Sequence, residues 1–142
     1  MKINNILVAV DDSECAHRAL DAALTLARMN LEAHIDLAHV AVVPRLDKAQ
    51  MANFAEILDV VKEGGKHLLE RAMDATSDVS SRCEAIMLTG TNPATELIGL
   101  IKERDYDLVV MGNRGLSGVQ EYLGSVSHRV LHASPASVLI VK

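Results

Sequence analysis

Short apolar runs alternate along this chain with longer segments in which apolar residues recur at helical spacing. The first run, residues 6–10, is continuous and ends at Asp11-Asp12-Ser13. Such a run is typical of a strand buried on both faces, as in a parallel sheet. Apolar residues then recur every three or four positions from Ala16 to Ala27, and Ser13 can cap a helix there. The pattern predicts a strand over residues 3–10 and a helix that ends near Met29-Asn30.

The same alternation continues to the C-terminus. It predicts strands over residues 34–43, 82–88, 107–111 and 137–141, with helices over 51–76, from Pro93 and over 125–132. Asn92 is placed to cap the helix that begins at Pro93. Gly64-Gly65 interrupts the long helical pattern and predicts a kink or weak point, since each glycine costs about 1 kcal/mol relative to alanine. Residues 43–50 are predicted to form a loop.

This βαβαβαβαβ order predicts an α/β fold. We expect a single-domain, open five-stranded parallel sheet with helices on both faces, a Rossmann-like arrangement that 142 residues can build. Ligands of such sheets bind beyond the carboxyl ends of the strands, where the strand order reverses. Those ends are predicted at Val10-Asp11, Val40-Ala41, Leu88-Thr89 and Met111-Gly112.

A glycine-rich stretch follows the fourth predicted strand. Gly112, Gly115 and Gly118 are spaced by three, and Gly124 precedes a predicted helix start at residues 125–127. It is not a dinucleotide fingerprint, which follows the first strand, nor a Walker loop, which needs Gly-Lys-Ser/Thr. Strand, glycine turn and helix N-terminus are the parts of an anion site, but glycines also make tight turns. Spacing alone leaves both interpretations open.

Polar side chains near this stretch favour phosphate. The hydroxyls of Ser125 and Ser127, with the unpaired N–H groups of a helix start, can hold phosphate oxygens without a lysine. Arg114 can add a charge-assisted contact or can be a solvated surface residue. Asp11 can accept hydrogen bonds from ribose hydroxyls or bind a phosphate-bridging Mg²⁺, or can simply start the first helix.

Composition narrows the possible functions. The net charge of −5 argues against nucleic acid as a partner, and Phe54, Tyr106 and Tyr122 are too few aromatics for a base-stacking platform. No apolar run approaches the roughly 18 to 20 residues of a membrane span, so no membrane partner is expected. The N-terminus has no small-residue cleavage site, and Cys15 and Cys83 are expected to be buried thiols. We therefore expect a cytoplasmic protein.

Metal and catalytic motifs are not evident. His128 and His132 have metal-ligand spacing on one predicted helix, but no third ligand accompanies them. The other histidines, His17, His34, His39 and His67, lack a partner motif. No G-x-S-x-G elbow supports a hydrolase. We expect no metal site and assign no catalytic residue.

Four stretches together resemble the universal stress protein family: residues 6–13, 38–40, 107–112 and 124–127. The resemblance covers nearly the whole chain, and it implies the adenine nucleotide α-hydrolase-like variant of the fold. It further implies that ATP binds across the first and fourth strand ends and that two chains dimerise through the last strand, Ser137 to Val141. By this resemblance, Ala9, Val10 and Asp11 lie near adenine and ribose, Val40 lies beside the base, and Gly112, Gly115, Gly124, Ser125 and Val126 hold phosphate. With Met111, Arg114 and Ser127, these residues form the expected nucleotide site.

One departure from the family concerns spacing. Nine residues usually separate the second and last glycines of the motif, whereas residues 116–123 number eight here. Both halves of the motif remain. The expected function is a cytoplasmic ATP-binding stress protein that acts as a nucleotide-dependent regulator, with Mg²⁺ accompanying ATP. The alternatives are an ATP-independent dimeric interaction protein and a slow ATPase or phosphotransferase, for which no base near the γ-phosphate can be named.

Overall fold

The computed structural model describes residues 1–113 and 123–142. The strands are β1 (Asn5–Ala9), β2 (His34–Val42), β3 (Cys83–Gly90), β4 (Leu108–Gly112) and β5 (Ser137–Val141). The α-helices are α1 (Glu14–Met29), α2 (Lys48–Met51), α3 (Phe54–Asp74), α4 (Pro93–Glu103) and α5 (Ser125–Ala133), and a 3₁₀ helix spans Ser77–Arg82. No α-helix within these ranges is both long and apolar enough to cross a lipid bilayer.

All five strands form one parallel sheet in the order β3-β2-β1-β4-β5, which confirms the predicted fold class. The chain moves outward from β1 to β2 and β3, then returns to place β4 and β5 on the other side. The strand order therefore reverses between β1 and β4. This is the position at which an open parallel sheet leaves a crevice at its carboxyl edge.

The sheet has an apolar core on each face. On one face, Ile6 and Val8 pack with Leu24 of α1 and Leu69 of α3. On the other face, side chains of the alternating strand positions, such as Leu7, pack with residues of α4 and α5. Residues 6–8 are at most 1% exposed, as a central parallel strand requires. Burial of each large aliphatic side chain contributes about 1.5–3 kcal/mol to stability, so β1 is fixed firmly between its neighbours.

Two predicted helix caps are confirmed. Ser13 Oγ accepts a hydrogen bond from the Ala16 N–H at 3.2 Å and starts α1. The Asn92 side chain accepts one from the Thr95 N–H, also at 3.2 Å, with Pro93 at the first helical position of α4. Each cap satisfies a backbone donor that the helix itself leaves unpaired and contributes about 1 kcal/mol.

The prediction for residues 43–76 is partly wrong. A short helix, α2, lies inside the predicted loop because Asp47 and Gln50 form a reciprocal capping box. The helical conformation is interrupted at residues 52–53, between α2 and α3, and α3 then continues through Gly64 and Gly65. Gly65 serves packing instead: a Cβ there would lie 2.9 Å from Met87 Sδ on the sheet. A side chain at this position would require the side chains of Met87 and His39 to shift.

Candidate functional site

The candidate site lies at the carboxyl ends of β1 and β4. Val8 is paired with Val110, so Ala9 and Val10 continue alongside Met111 and Gly112. The Val10 N–H donates to the Ala38 carbonyl at 2.8 Å, which holds the end of β1 against β2 as well. Val40 follows two residues later on β2 and is buried. The fold thus places five residues of the expected nucleotide site at neighbouring strand ends: Ala9, Val10, Val40, Met111 and Gly112.

Gly112 lies where β4 packs closely against α1. A Cβ at this glycine would lie 2.7 Å from Cys15 Cβ and 2.8 Å from the Cys15 carbonyl carbon. No side chain fits in that space without moving the helix backbone. Gly112 therefore lets the end of β4 lie directly against the first turn of α1.

Asp11 and Asp12 have different surroundings although they are adjacent. One oxygen of the half-buried Asp11 carboxylate accepts the Ser13 N–H at 2.8 Å. Its second oxygen has no hydrogen bond within residues 1–113 and 123–142. Asp12 instead contacts Arg71 of α3 at 3.2 Å. Asp11 is therefore the carboxylate of this pair that can accept a ligand's hydroxyl or cation.

The N-terminus of α5 lies beside the end of β4, where the Gly124 N–H donates to the Asn113 carbonyl. Gly124 is its N-cap residue, and no side chain in the described part of the chain caps this helix. Ser125 is exposed and Val126 half-buried at the first two helical positions. Backbone N–H groups at a helix start without a cap attract anions, and the helix dipole adds to this effect.

Ser127 has a structural role at the start of α5. It is 3% exposed, and its hydroxyl lies 3.0 Å from the Gly112 carbonyl and 3.1 Å from the Asn113 carbonyl, either of which can accept its proton. The Gly124 N–H also donates to the Asn113 carbonyl, at 2.8 Å. These bonds tie the start of α5 to the end of β4. The expected phosphate contact of the Ser127 hydroxyl is replaced by this structural role, whereas Arg114 and Gly115 lie outside the described residues.

His39 contributes to the site in a way that sequence reasoning missed. Its Nδ1 lies 2.9 Å from the Val10 carbonyl oxygen. Because a carbonyl oxygen only accepts, Nδ1 carries the proton, and this bond fixes the last residue before Asp11. The signal for this contact is the strand register, which pairs Ala9 with Ala38 and so places His39 beside Val10. A single sequence does not contain that register.

The geometry defines a class of protein: a parallel α/β domain in which a helix N-terminus without a side-chain cap among the described residues lies near the reversal of strand order. A sequence model of the Universal stress protein family matches residues 2–142. The chain belongs to this family.

Individual relatives agree with the family assignment. The chain is 35% identical over 148 residues to the universal stress protein YxiE of Bacillus subtilis, covering 98% of this chain and 99% of the relative. The fold is similar to that of UspA from Lactobacillus plantarum, with a TM-score of 0.87, 21% identity and coverage of 100% and 99% of the two chains. It is also similar to a universal stress protein solved in complex with cAMP, with a TM-score of 0.70, 29% identity and coverage of 98% and 97%.

Proposed function

We propose that this chain is an adenine-nucleotide-binding universal stress protein, with ATP and accompanying Mg²⁺ as its ligand. We further propose that it acts in the cytoplasm as a nucleotide-dependent regulator of the stress response. The observations that support the proposal are an α5 N-terminus without a side-chain cap among the described residues and an Asp11 carboxylate oxygen without a hydrogen bond there, near the carboxyl ends of β4 and β1. The first provides donors for phosphate and the second provides an acceptor for ribose or a ligand for Mg²⁺.

The residues of the crevice suit such a ligand chemically. Ala9, Val10 and Val40 provide small aliphatic walls for a base, and Gly112 lets α1 lie close to the end of β4. Gly124, Ser125 and Val126 offer the N–H groups and hydroxyl that a phosphate requires. Nothing in this arrangement depends on the Ser127 hydroxyl, so we assign that residue to positioning the α5 N-terminus.

A relative supports adenine as the base. The universal stress protein solved with cAMP shares 29% identity with this chain over nearly its full length. Cyclic AMP contains adenine, ribose and one phosphate, which are the parts that the crevice walls, Asp11 and the α5 N-terminus suit. ATP adds two phosphates, which lie toward the glycine motif in this proposal.

Calorimetric titration with ATP, with and without Mg²⁺, tests the proposal. The best variant is Asp11→Asn, because its amide oxygen still accepts the Ser13 N–H while the charge is lost. Asp12→Asn is the matched control, since Asp12 faces Arg71. If Asp11 binds ribose, D11N weakens ATP binding in both buffers; if Asp11 binds Mg²⁺, only the Mg²⁺-dependent part is lost. No saturable binding at millimolar ATP would overturn the proposal.

The same preparation distinguishes binding from hydrolysis. A regulator binds ATP without appreciable phosphate release, whereas a slow ATPase releases phosphate at a rate that falls in the D11N variant. Phosphate release that D11N leaves unchanged would come from a contaminating enzyme. Calorimetry reports ATP binding and phosphate release reports hydrolysis, so the two properties are tested separately.

We also infer a homodimer that forms through β5. This strand lies at the edge of the sheet, and Leu139 is 39% exposed there. An exposed apolar edge favours pairing with another strand, and a second copy offers the same edge. Sedimentation should show a dimer at tens of micromolar that Leu139→Lys converts to monomer. Leu31→Lys, at an 80% exposed residue far from this edge, should leave the dimer intact; a monomeric parent chain would contradict the inference.

A further inference from the structure

A group of charged side chains lies at the amino edge of the sheet, opposite the proposed nucleotide crevice. His34 and Asp36 belong to β2, and the sheet register pairs Asp36 with Glu84 of β3. Arg104 and Tyr106 reach the same place from the segment that follows α4. A cavity of about 300 Å³ opens there and is lined by all five residues. This group takes no part in the proposed function.

Asp36 is the centre of the group and is only 4% exposed. Its Oδ2 atom accepts hydrogen bonds from the Tyr106 hydroxyl at 2.6 Å and from Arg104 Nη1 at 3.0 Å. Burial, together with the bond to Asp36, raises the pKa of Tyr106 far above its ordinary value, so the phenol stays protonated and donates. Two strong donors therefore fix the orientation of this carboxylate.

The other oxygen of Asp36 has no hydrogen bond among the residues that the structure describes, although it is buried. A buried carboxylate oxygen without a partner costs free energy, because the water that it loses is not replaced. This Oδ1 atom lies 3.3 Å from His34 Nε2. The oxygen is thus directed toward the imidazole and the cavity beside it.

The three potential ligand atoms are spaced for a metal ion. One atom each of His34, Asp36 and Glu84 lies within 4.8 Å of the other two. In a tetrahedral zinc site with bonds of about 2.1 Å, neighbouring ligand atoms lie about 3.4 Å apart. The 3.3 Å between His34 Nε2 and Asp36 Oδ1 already matches that spacing. Glu84, whose side chain is 53% exposed, has one oxygen 3.6 Å from Arg104 Nη1 and would turn from that surface contact to reach the ion.

Charge and hydrogen bonding favour a divalent cation at this position. Asp36, Glu84 and Asp105 line the cavity with three carboxylates, against the single guanidinium of Arg104. A divalent ion would balance that excess. Arg104 and Tyr106 hold Oδ2 and leave Oδ1 available, which is how outer hydrogen bonds commonly orient a metal-binding carboxylate.

We propose that His34 Nε2, Asp36 Oδ1 and a Glu84 carboxylate oxygen bind a divalent transition-metal ion of the zinc class. Water completes the coordination in this proposal, because three protein ligands leave a fourth position of a tetrahedral ion open. Such an ion would link β2 to β3 at the amino edge. It would raise the stability of the fold as the free ion concentration rises above the dissociation constant, since the unfolded chain does not hold these ligands together.

Two other histidine sites have to be controlled. His128 and His132 are exposed on α5 with ring centroids 4.4 Å apart. Such a surface pair can bind zinc weakly without further protein ligands. His67 lies near Glu63 and Glu70 on the surface of α3, at 3.7 and 3.5 Å. The test therefore uses the double variant H128A/H132A as its background and His67→Ala as its matched control.

Calorimetric titration of this background chain with ZnCl₂ in nucleotide-free buffer is the experiment. We expect one ion per chain, at least tenfold weaker binding in His34→Ala and Glu84→Gln, and unchanged binding in His67→Ala. The side chains of His34 and Glu84 are 47% and 53% exposed, so both variants should fold. Zinc should also raise the unfolding temperature of the background chain and not that of its H34A variant.

The proposal is overturned if the background chain shows no saturable zinc binding, if H34A binds as tightly as its parent, or if H67A removes the ion. Cobalt(II) gives an independent signal, because a tetrahedral site produces visible absorption bands that His34→Ala should abolish. None of these measurements involves ATP, so the nucleotide proposal stands or falls separately.

Discussion

The two edges of the sheet use different kinds of groups. The carboxyl edge is built from glycines, small aliphatic side chains and backbone N–H groups, with Asp11 as a carboxylate whose second oxygen is available. The amino edge is built from charged and phenolic side chains that contact one another, centred on the buried Asp36. The first edge leaves groups open to a ligand, whereas the second has satisfied nearly all of its groups internally.

This difference predicts different consequences of substitution at the two edges. Backbone donors at a helix start cost little to leave exposed, because water satisfies them until a phosphate replaces it. A buried carboxylate must have partners in the folded chain, since an unpaired buried charge is strongly destabilising. We therefore expect substitutions at the carboxyl edge to affect nucleotide binding, and substitution of the buried Asp36 at the amino edge to affect stability. Gly112 is the exception, because it serves packing and the site together.

Gly112→Val should give the largest effect, because it should lower both the stability of the fold and the affinity for ATP. Its Cβ would overlap the backbone and side chain of Cys15, so α1 would have to move. We expect a loss of about 3 kcal/mol in the free energy of unfolding, at the upper end for overpacked sites, and at least tenfold weaker ATP binding. Denaturant unfolding measures the free energy of unfolding, and calorimetry measures the affinity for ATP. Gly99→Val is the control, since a Cβ at Gly99 meets nothing within 4 Å; equal stability of the two variants would refute the packing argument.

Asp36→Ala should break the amino edge without affecting nucleotide binding. The half-buried Tyr106 hydroxyl would lose its acceptor, and we expect the free energy of unfolding to fall by about 1–3 kcal/mol. ATP affinity should remain within twofold of the parent. Asp78→Ala, which removes the exposed Arg28–Asp78 ion pair, should leave the unfolding midpoint nearly unchanged. A D36A variant that is as stable as D78A would show that the buried group contributes no stability.

The glycine pair of α3 offers a smaller and sharper test, because the two residues should respond with opposite sign. Gly65→Ala places a Cβ 2.9 Å from Met87 Sδ and 3.1 Å from His39, and we expect a loss of about 1 kcal/mol. Gly64→Ala meets nothing within 4 Å and should gain about 0.5–1 kcal/mol through helix propensity. Chemical denaturation of both variants decides the matter; a gain in both would mean that α3 does not need its close approach to the sheet.

The smallest expected effect is in the acid stability of the chain. The Asn4 and Asn5 N–H groups both donate to Asp107 Oδ2 at 2.8 Å and lower the pKa of Asp107 below its ordinary value. The unfolded chain therefore takes up a proton first as the pH falls. This contribution is complete above the unfolded pKa of about 3.9 and is lost as the pH falls through the lower folded value.

Replacing this carboxyl group should change that pH dependence. In Asp107→Asn, the unfolding midpoint should fall less steeply between about pH 5 and pH 2 than in the parent chain. Glu103→Gln, at an exposed residue near the end of α4, is the control and should keep the parent's slope. Identical slopes for D107N and the parent would contradict the assignment.

Local signals in the sequence were sufficient for most of the fold. The caps at Ser13 and Asn92 and the bounds of β5 follow from residues close to one another in the chain. The carboxyl ends of β1 and β4, where the proposed nucleotide site lies, were also predictable, because each follows an apolar run and parallel strands end at one edge.

Features that depend on pairing were not predictable. Asp36 meets Glu84 only through the register of β2 with β3, and 48 positions separate the two residues in the sequence. The Gly65 contact depends on how closely α3 approaches the sheet, and the inward direction of Ser127 depends on the rotation of α5. Each is set by tertiary packing, which local propensity does not determine.

An amide NMR titration of the full chain with ATP and Mg²⁺ tests the central claim most directly, because it reports on both edges at once. We predict saturable shifts for Val10, Asp11, Asn113 and residues 124–126, with no change for His34, Glu84 and Arg104. Shifts confined to the amino edge, or no saturable shifts at millimolar ATP, would contradict the claim that the carboxyl edge is the nucleotide site.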